Sequence, residues 1–168
     1  MKPIILTVVI TLLIIAGVLL AGALLPETRS ATVSRTIDAD PGRVRATILD
    51  VERQPSWRTH IRSVTRGPDG GWTELTRDGE QIAFRLVEDA NGRIAMSFES
   101  TRGYTGRWAA ELAPTADGGT RLTVVEQAST PSPIGRILAR MFFDPEAFAN
   151  AYLDALAAEA VRRKPAAE

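Results

Sequence analysis

The chain has 168 residues, 20 of them basic and 20 acidic, and a formal net charge of zero. Without a basic surplus to neutralise phosphates, a nucleic-acid partner is not expected. The sequence has no cysteine and one histidine, which rules out disulfides and thiolate metal sites and leaves no His-x-x-x-His pair, so neither a metal nor another cofactor is expected.

The first element is the run from Ile4 to Leu25, which carries no charge and only two threonines as polar groups. As a helix it would extend roughly 33 Å, enough to cross the hydrocarbon core of a bilayer. Residues 1–26 are therefore read as a single-pass transmembrane anchor. A cleaved signal peptide is the competing reading, and Ala21-Gly22-Ala23 supplies small residues of the cleavage type. A signal's apolar region is, however, normally only about 7 to 15 residues long. Lys2 precedes the run while Arg29, Arg35 and Arg43 follow it, so the charge count does not favour an N-inside orientation. Because long domains translocate largely regardless of charge, the expected location of the domain is extracytoplasmic, at the cell membrane.

Pro26 closes the span, and residues 27–31 read as a short polar tether. The folded domain is placed at 32–163 and a disordered tail at 164–168. Thr32 to Ile37 alternates as a first strand, and Asp40-Pro41 opens a helix, with Asp40 as N-cap and Pro41 at the first helical position. Val44, Thr47, Ile48 and Val51 form its inner stripe, and a shorter helical turn follows over Glu52 to Trp57.

From residue 61 to 129 the hydrophobic period changes to two, with glycine-bearing turns at GPDGG, DG, NG, RG and DGG between short runs. Such turns between alternating runs signal hairpins, so the segment reads as an antiparallel meander. Parity gathers Ile82, Phe84 and Leu86, then Ile94, Met96 and Phe98, then Tyr104, Gly106 and Trp108, and finally Leu122, Val124, Glu126 and Ala128 on one oily face. A sheet with a single apolar face needs a cover. Ile134 to Phe142 reads as a short helix. A longer one starts at Asp144-Pro145, with Phe143 and Phe148 placed as a hydrophobic staple and Phe148, Tyr152, Ala155, Leu156 and Glu159 on one stripe.

The order strand, two short helices, antiparallel meander and long last helix resembles the helix-grip domain, an α+β fold. Asp40-Pro41, Asp50 and Pro55-Ser56-Trp57, followed by Trp72-Thr73-Glu74, Gly106-Arg107-Trp108 before Glu111-Leu112, Gly119 to Thr123 leading to Glu126, and Pro133 to Leu156, resemble the START-like superfamily. That superfamily is also called SRPBCC, or polyketide cyclase/dehydrase and lipid transport proteins, and the resemblance covers about residues 32 to 162. It implies an antiparallel sheet wrapped around the C-terminal helix, with a cavity between them that holds hydrophobic or amphipathic small molecules. RGYTGRW departs from the plainer Gly-Thr-Trp expected there.

Glu126 is then either a polar group lining an apolar cavity, where a few such groups orient a ligand, or an acid near the sheet edge that pairs with an arginine or caps an N–H. The candidate ligand-binding set is Phe84, Met96, Phe98, Tyr104, Trp108, Glu126, Phe148 and Tyr152, whose aromatic members serve equally as ordinary core. Trp57 reads as core closing the second helix. His60, at a helix-to-strand junction, reads as a solvated residue rather than an acid/base catalyst.

The leading functional expectation is a membrane-anchored domain that binds a hydrophobic or lipid-like small molecule. An alternative is a cyclase or dehydratase using Glu126 as acid or base, with Tyr104 or Tyr152 positioning a carbonyl. A second alternative is a solidly packed protein-interaction module with no cavity.

Overall fold

The computed structural model describes residues 2–90 and 92–163, so the tail expected at 164–168 lies outside the described residues. Helix α1 (Lys2–Leu24) is long and apolar enough to cross a membrane, with a mean hydropathy of 3.1 over Ile4–Leu24. From Ile4 onward every α1 residue except Gly22 is exposed. Strand β1 (Thr28–Ile37) follows almost at once.

The tether expected at 27–31 is therefore mostly strand. Thr28 to Ala31 pair with Ser129 to Glu126 of the last strand. Thr28 and Ser30 point outward and Arg29 and Ala31 inward, while their amides and carbonyls complete a ladder whose partner lies a hundred positions away, out of reach of local pattern.

Helix α2 (Pro41–Leu49) begins as its sequence requires, the Asp40 side chain accepting a hydrogen bond from the Arg43 amide. A 3₁₀ turn (Val51–Ser56) leads into the meander β2 (Ile61–Arg66), β3 (Trp72–Thr76), β4 (Gln81–Ala90), β5 (Arg93–Ser100), β6 (Thr105–Pro114) and β7 (Thr120–Ser129). The sheet order is β1-β7-β6-β5-β4-β3-β2, antiparallel throughout. Gly79 and Gly118, at the Asp-Gly turns, have φ of 86° and 85°, a conformation that side chains with a Cβ avoid.

Helix α3 (Pro133–Phe142) has Ser132 as N-cap. Helix α4 (Pro145–Arg162) has Asp144, whose side chain accepts from the amides of Glu146 and Ala147, and its staple is formed, the Phe143 and Phe148 rings 5.4 Å apart. This is the α+β helix-grip arrangement. The expected inner parity holds on β5, β6 and β7, where Ile94, Met96, Phe98, Trp108, Ala110, Leu112, Leu122 and Val124 are buried. Leu86 is the exception at 44 % exposure, because β3 pairs with β4 only as far as Phe84 and a bulge between Leu86 and Glu88 bends the strand beyond it.

Helix α4 approaches β1 and α2 most closely, burying Ala149, Leu153, Leu156 and Ala160 against Ile37, Val44 and Ile48. Its C-terminus is fixed by Arg163, which donates to Asp50 at 2.7 Å. Such close packing is confined to one flank of the sheet. Over β3, β4 and β5 the helix stands off.

Candidate functional site: a cavity beneath the last helix

The inner face over β3 to β7 is organised in rows of directly opposed residues. One row runs Trp72, Phe84, Phe98, Gly106, Ala128. The next runs Met96, Trp108, Glu126, Ala31. In the first row the Trp72 and Phe84 rings stack at 5.4 Å and Phe84 meets Phe98 at 5.7 Å. The row then drops from rings to almost bare backbone. A Cβ at Gly106 would lie 2.3 Å from Phe98 Cζ, so glycine alone lets that ring lean across β6.

The space left between this floor and α4 is a cavity of about 760 Å³, within the range of small-molecule sites. Phe84, Met96, Phe98, Tyr104, Trp108, Glu126, Phe148 and Tyr152, all singled out in the sequence, line it together. Trp57 does not line it; it packs on the far side of Tyr152, with rings 5.9 Å apart.

Polar groups converge on the cavity from places that parity did not mark. Arg58, just after the 3₁₀ turn, donates to Glu74 Oε1 at 2.8 Å and to Gln54 Oε1. Its guanidinium carbon stands 5.5 Å from the centre of the Tyr152 ring. Arg58 and Glu74 side chains are 11 % and 2 % exposed, so this is a buried ion pair. Glu74 was legible as the middle residue of WTELT, where it alternates with inward Trp72 and Thr76.

Glu80 forms a second polar cluster. It accepts from Tyr104 Oη at 2.6 Å and from Ser100 Oγ, and it faces Arg102 at 3.4 Å. Burial and the adjoining Glu80 carboxylate push the Tyr104 phenol above its ordinary range.

Glu126 differs from both. Among the described residues it has no hydrogen-bond or ion-pair partner. Burial raises its pKa, and the Arg58 charge only partly opposes that shift. The edge-paired alternative for Glu126 is therefore not what the structure shows.

His60 corrects an expectation. It is not solvated but half-buried in the cavity wall, its ring edge-on to Phe148 at 5.4 Å, with Nε2 accepting from Arg58 Nη2 at 3.2 Å. Desolvation and the neighbouring Arg58 charge lower its pKa to about 4, so it is neutral at physiological pH. His60 does sit at the helix-to-strand junction, and what α4 lays against it is set by a segment nearly ninety positions away. The packed, cavity-free interior required by an interaction module is likewise not found.

A family model described as polyketide cyclase / dehydrase and lipid transport matches residues 28–163. The chain belongs to this family. Solved structures repeat the fold at low identity. The aromatase/cyclase Zhui of a Streptomyces species is 16 % identical with a TM-score of 0.69, the match covering 81 % of this chain and 95 % of that one. A START superfamily protein from Mycobacterium smegmatis is 16 % identical with a TM-score of 0.60, over 82 % and 99 %. Norcoclaurine synthase from Thalictrum flavum, in complex with dopamine and hydroxybenzaldehyde, is 11 % identical with a TM-score of 0.65, over 83 % and 90 %. These likenesses establish the fold. No curated protein matches the sequence.

The buried charges of this family member bear directly on its stability. Arg58→Met strands Glu74 without its cation and should lower stability by about 3–5 kcal/mol, whereas Arg58→Met combined with Glu74→Met should cost less than the single change. Urea unfolding followed by tryptophan fluorescence measures both. The pH dependence has two opposite signs. The depressed His60 pKa contributes stability that is complete above its ordinary value of 6.5 and is lost as pH falls toward about 4, so His60→Asn should flatten the acid-side loss. The raised Glu126 pKa contributes stability present at acid pH and lost as pH rises through it. Glu126→Gln should therefore exceed the parent in stability at about pH 8, by a margin that shrinks on acidification.

Proposed function

We propose that the protein is a membrane-anchored binding domain that holds an apolar small molecule bearing a hydrogen-bond donor in the cavity beneath α4. The observation that carries this reading is Glu126, a carboxylate without a partner among the described residues, in a largely aromatic chamber of about 760 Å³. A desolvated acceptor of this kind gains most from a ligand hydroxyl or ammonium. A ligand carboxylate would meet Glu126, Glu80 and Glu74, and the one deeply buried cation among the lining residues, Arg58, is already engaged by Glu74. An alcohol or amine head group with an aliphatic or aromatic body fits better.

Membership of a family that includes lipid transport supports the ligand class, and α1 supports the anchor, being a helix of spanning length whose apolar surface from Ile4 onward is exposed everywhere except at Gly22. With α1 in the bilayer, the domain stands at the membrane surface.

A second reading has its own observation. Glu126, with its raised pKa, shares the cavity with neutral His60 and with Tyr104 and Tyr152. A carboxyl group whose pKa is raised by burial is equipped for general acid or base work. In a cyclase or dehydratase, Glu126 would move the proton and the two phenols would position a carbonyl.

The test uses the full chain in nanodiscs, with energy transfer from the cavity tryptophans to dansyl-labelled long-chain probes. The long-chain amine should bind about tenfold more tightly than the matching carboxylic acid, and Glu126→Gln should narrow that ratio toward one. Ala128→Phe, which projects a ring into the cavity, should abolish transfer while circular dichroism stays unchanged. Equal transfer from both probes in all variants would contradict the binding reading.

A further inference from the structure

We infer that α3 is an interfacial membrane helix, and that the mouth of the cavity therefore opens into the boundary between lipid head groups and acyl chains. The inference rests on α1 being a membrane span, as proposed above, and adds where the domain meets the bilayer.

Helix α3 buries none of its residues. Ile134, Leu138, Met141 and Phe142 are 50 %, 50 %, 66 % and 77 % exposed. At helical spacing they occupy one broad side, while Arg136 and Arg140 share a narrow stripe opposite. A strongly one-sided helix with cations on its polar face is the type that lies in a membrane interface. As a surface facing water, the same residues would form a contiguous apolar patch on the domain.

The occupant is identified by what α3 is attached to. Gly22, the one buried residue among those described in α1, is covered by the start of α3, and a Cβ there would lie 2.3 Å from the Pro133 carbonyl oxygen. Gly22 is still within the apolar run, about 3 Å of helical rise from the end of α1 at Leu24. Arg136 extends the junction by donating to the Ala23 and Leu25 carbonyls at 3.4 and 3.3 Å and to Glu27 at 2.7 Å. At the other end of α3, Arg29 donates to the Ala139 and Phe143 carbonyls at 2.9 and 3.0 Å. The helix is thus clamped at the level where the span leaves the bilayer. A ten-residue amphipathic helix binds lipid weakly by itself, but one held beside a span is kept at high effective concentration.

The same helix frames the cavity. Gly135, Leu138, Ala139 and Phe143 line it together with Phe84, Phe98 and Glu126. A lipophilic ligand entering past α3 would pass from acyl chains into the aromatic chamber without crossing bulk water.

The chain contains no cysteine, so single cysteines can carry an environment-sensitive NBD label in the full-length protein reconstituted in phosphatidylcholine vesicles. Ile14→Cys reports the span, Phe142→Cys and Met141→Cys report α3, and Arg121→Cys on the outer sheet face is the aqueous control. Nitroxide lipids labelled at the head group or deep in the acyl chain serve as quenchers. The α3 labels should show blue-shifted emission and be quenched several-fold more by the shallow nitroxide than Arg121→Cys, while Ile14→Cys responds to the deep one. Water-like emission from both α3 positions with Ile14→Cys still quenched would overturn the inference and leave the span and the cavity reading standing. Loss of quenching at Ile14→Cys as well would remove the span and the interfacial helix together. Cavity occupancy does not enter either readout.

Discussion

The seating of α4 against β1 and α2 is the contact on which the remainder depends. Ala149, Leu153, Leu156 and Ala160 let the helix close tightly on one flank of the sheet, and Arg163 fixes its end on Asp50. Having closed there, the helix does not also close over β3 to β5, where the Trp72, Phe84 and Phe98 rings line the cavity. Gly106 and Ala128 deepen the gap by withholding side chains from the row that Trp72, Phe84 and Phe98 begin. The cavity is a consequence of how size is distributed along five strands and one helix. Native interiors otherwise pack to near-crystalline density, so space of this size has to be built in.

Within that space the charges are arranged unevenly. Glu74 is matched by Arg58, and Glu80 by Tyr104, Ser100 and Arg102, so both acids hold the walls in place. Glu126 is left to the interior. Trp108 and Ala31 stand directly opposite it on the neighbouring strands and offer its carboxylate no hydrogen bond. Burial raises its pKa, a kind of perturbation that clusters at functional sites.

Much of this was legible in the residues. Period-two alternation and glycine-bearing turns placed β5 to β7 and the inward side chains, and Asp-Pro caps placed α2 and α4. What escaped was set by contacts between distant segments. TRSA reads as polar linker because an edge strand shows water on one face, and its partner is β7. Arg58 and His60 lie in an irregular stretch with no period to orient them, so their burial depended on where Tyr152 and Phe148 of α4 came to rest. Leu86 followed the alternation faithfully but lay past the end of β3. Ile134 to Phe142 was legible as a helix, yet the exposure of its apolar residues emerges only in three dimensions.

Native mass spectrometry of the full-length protein, released gently from its own host's membranes, addresses the central claim most directly. A chamber that holds a ligand predicts a reproducible adduct of one apolar molecule per chain, absent when Ala128→Phe occupies its place. Parent and variant that both emerge at the bare polypeptide mass, and stay so after exposure to long-chain alcohols and amines, would contradict the account.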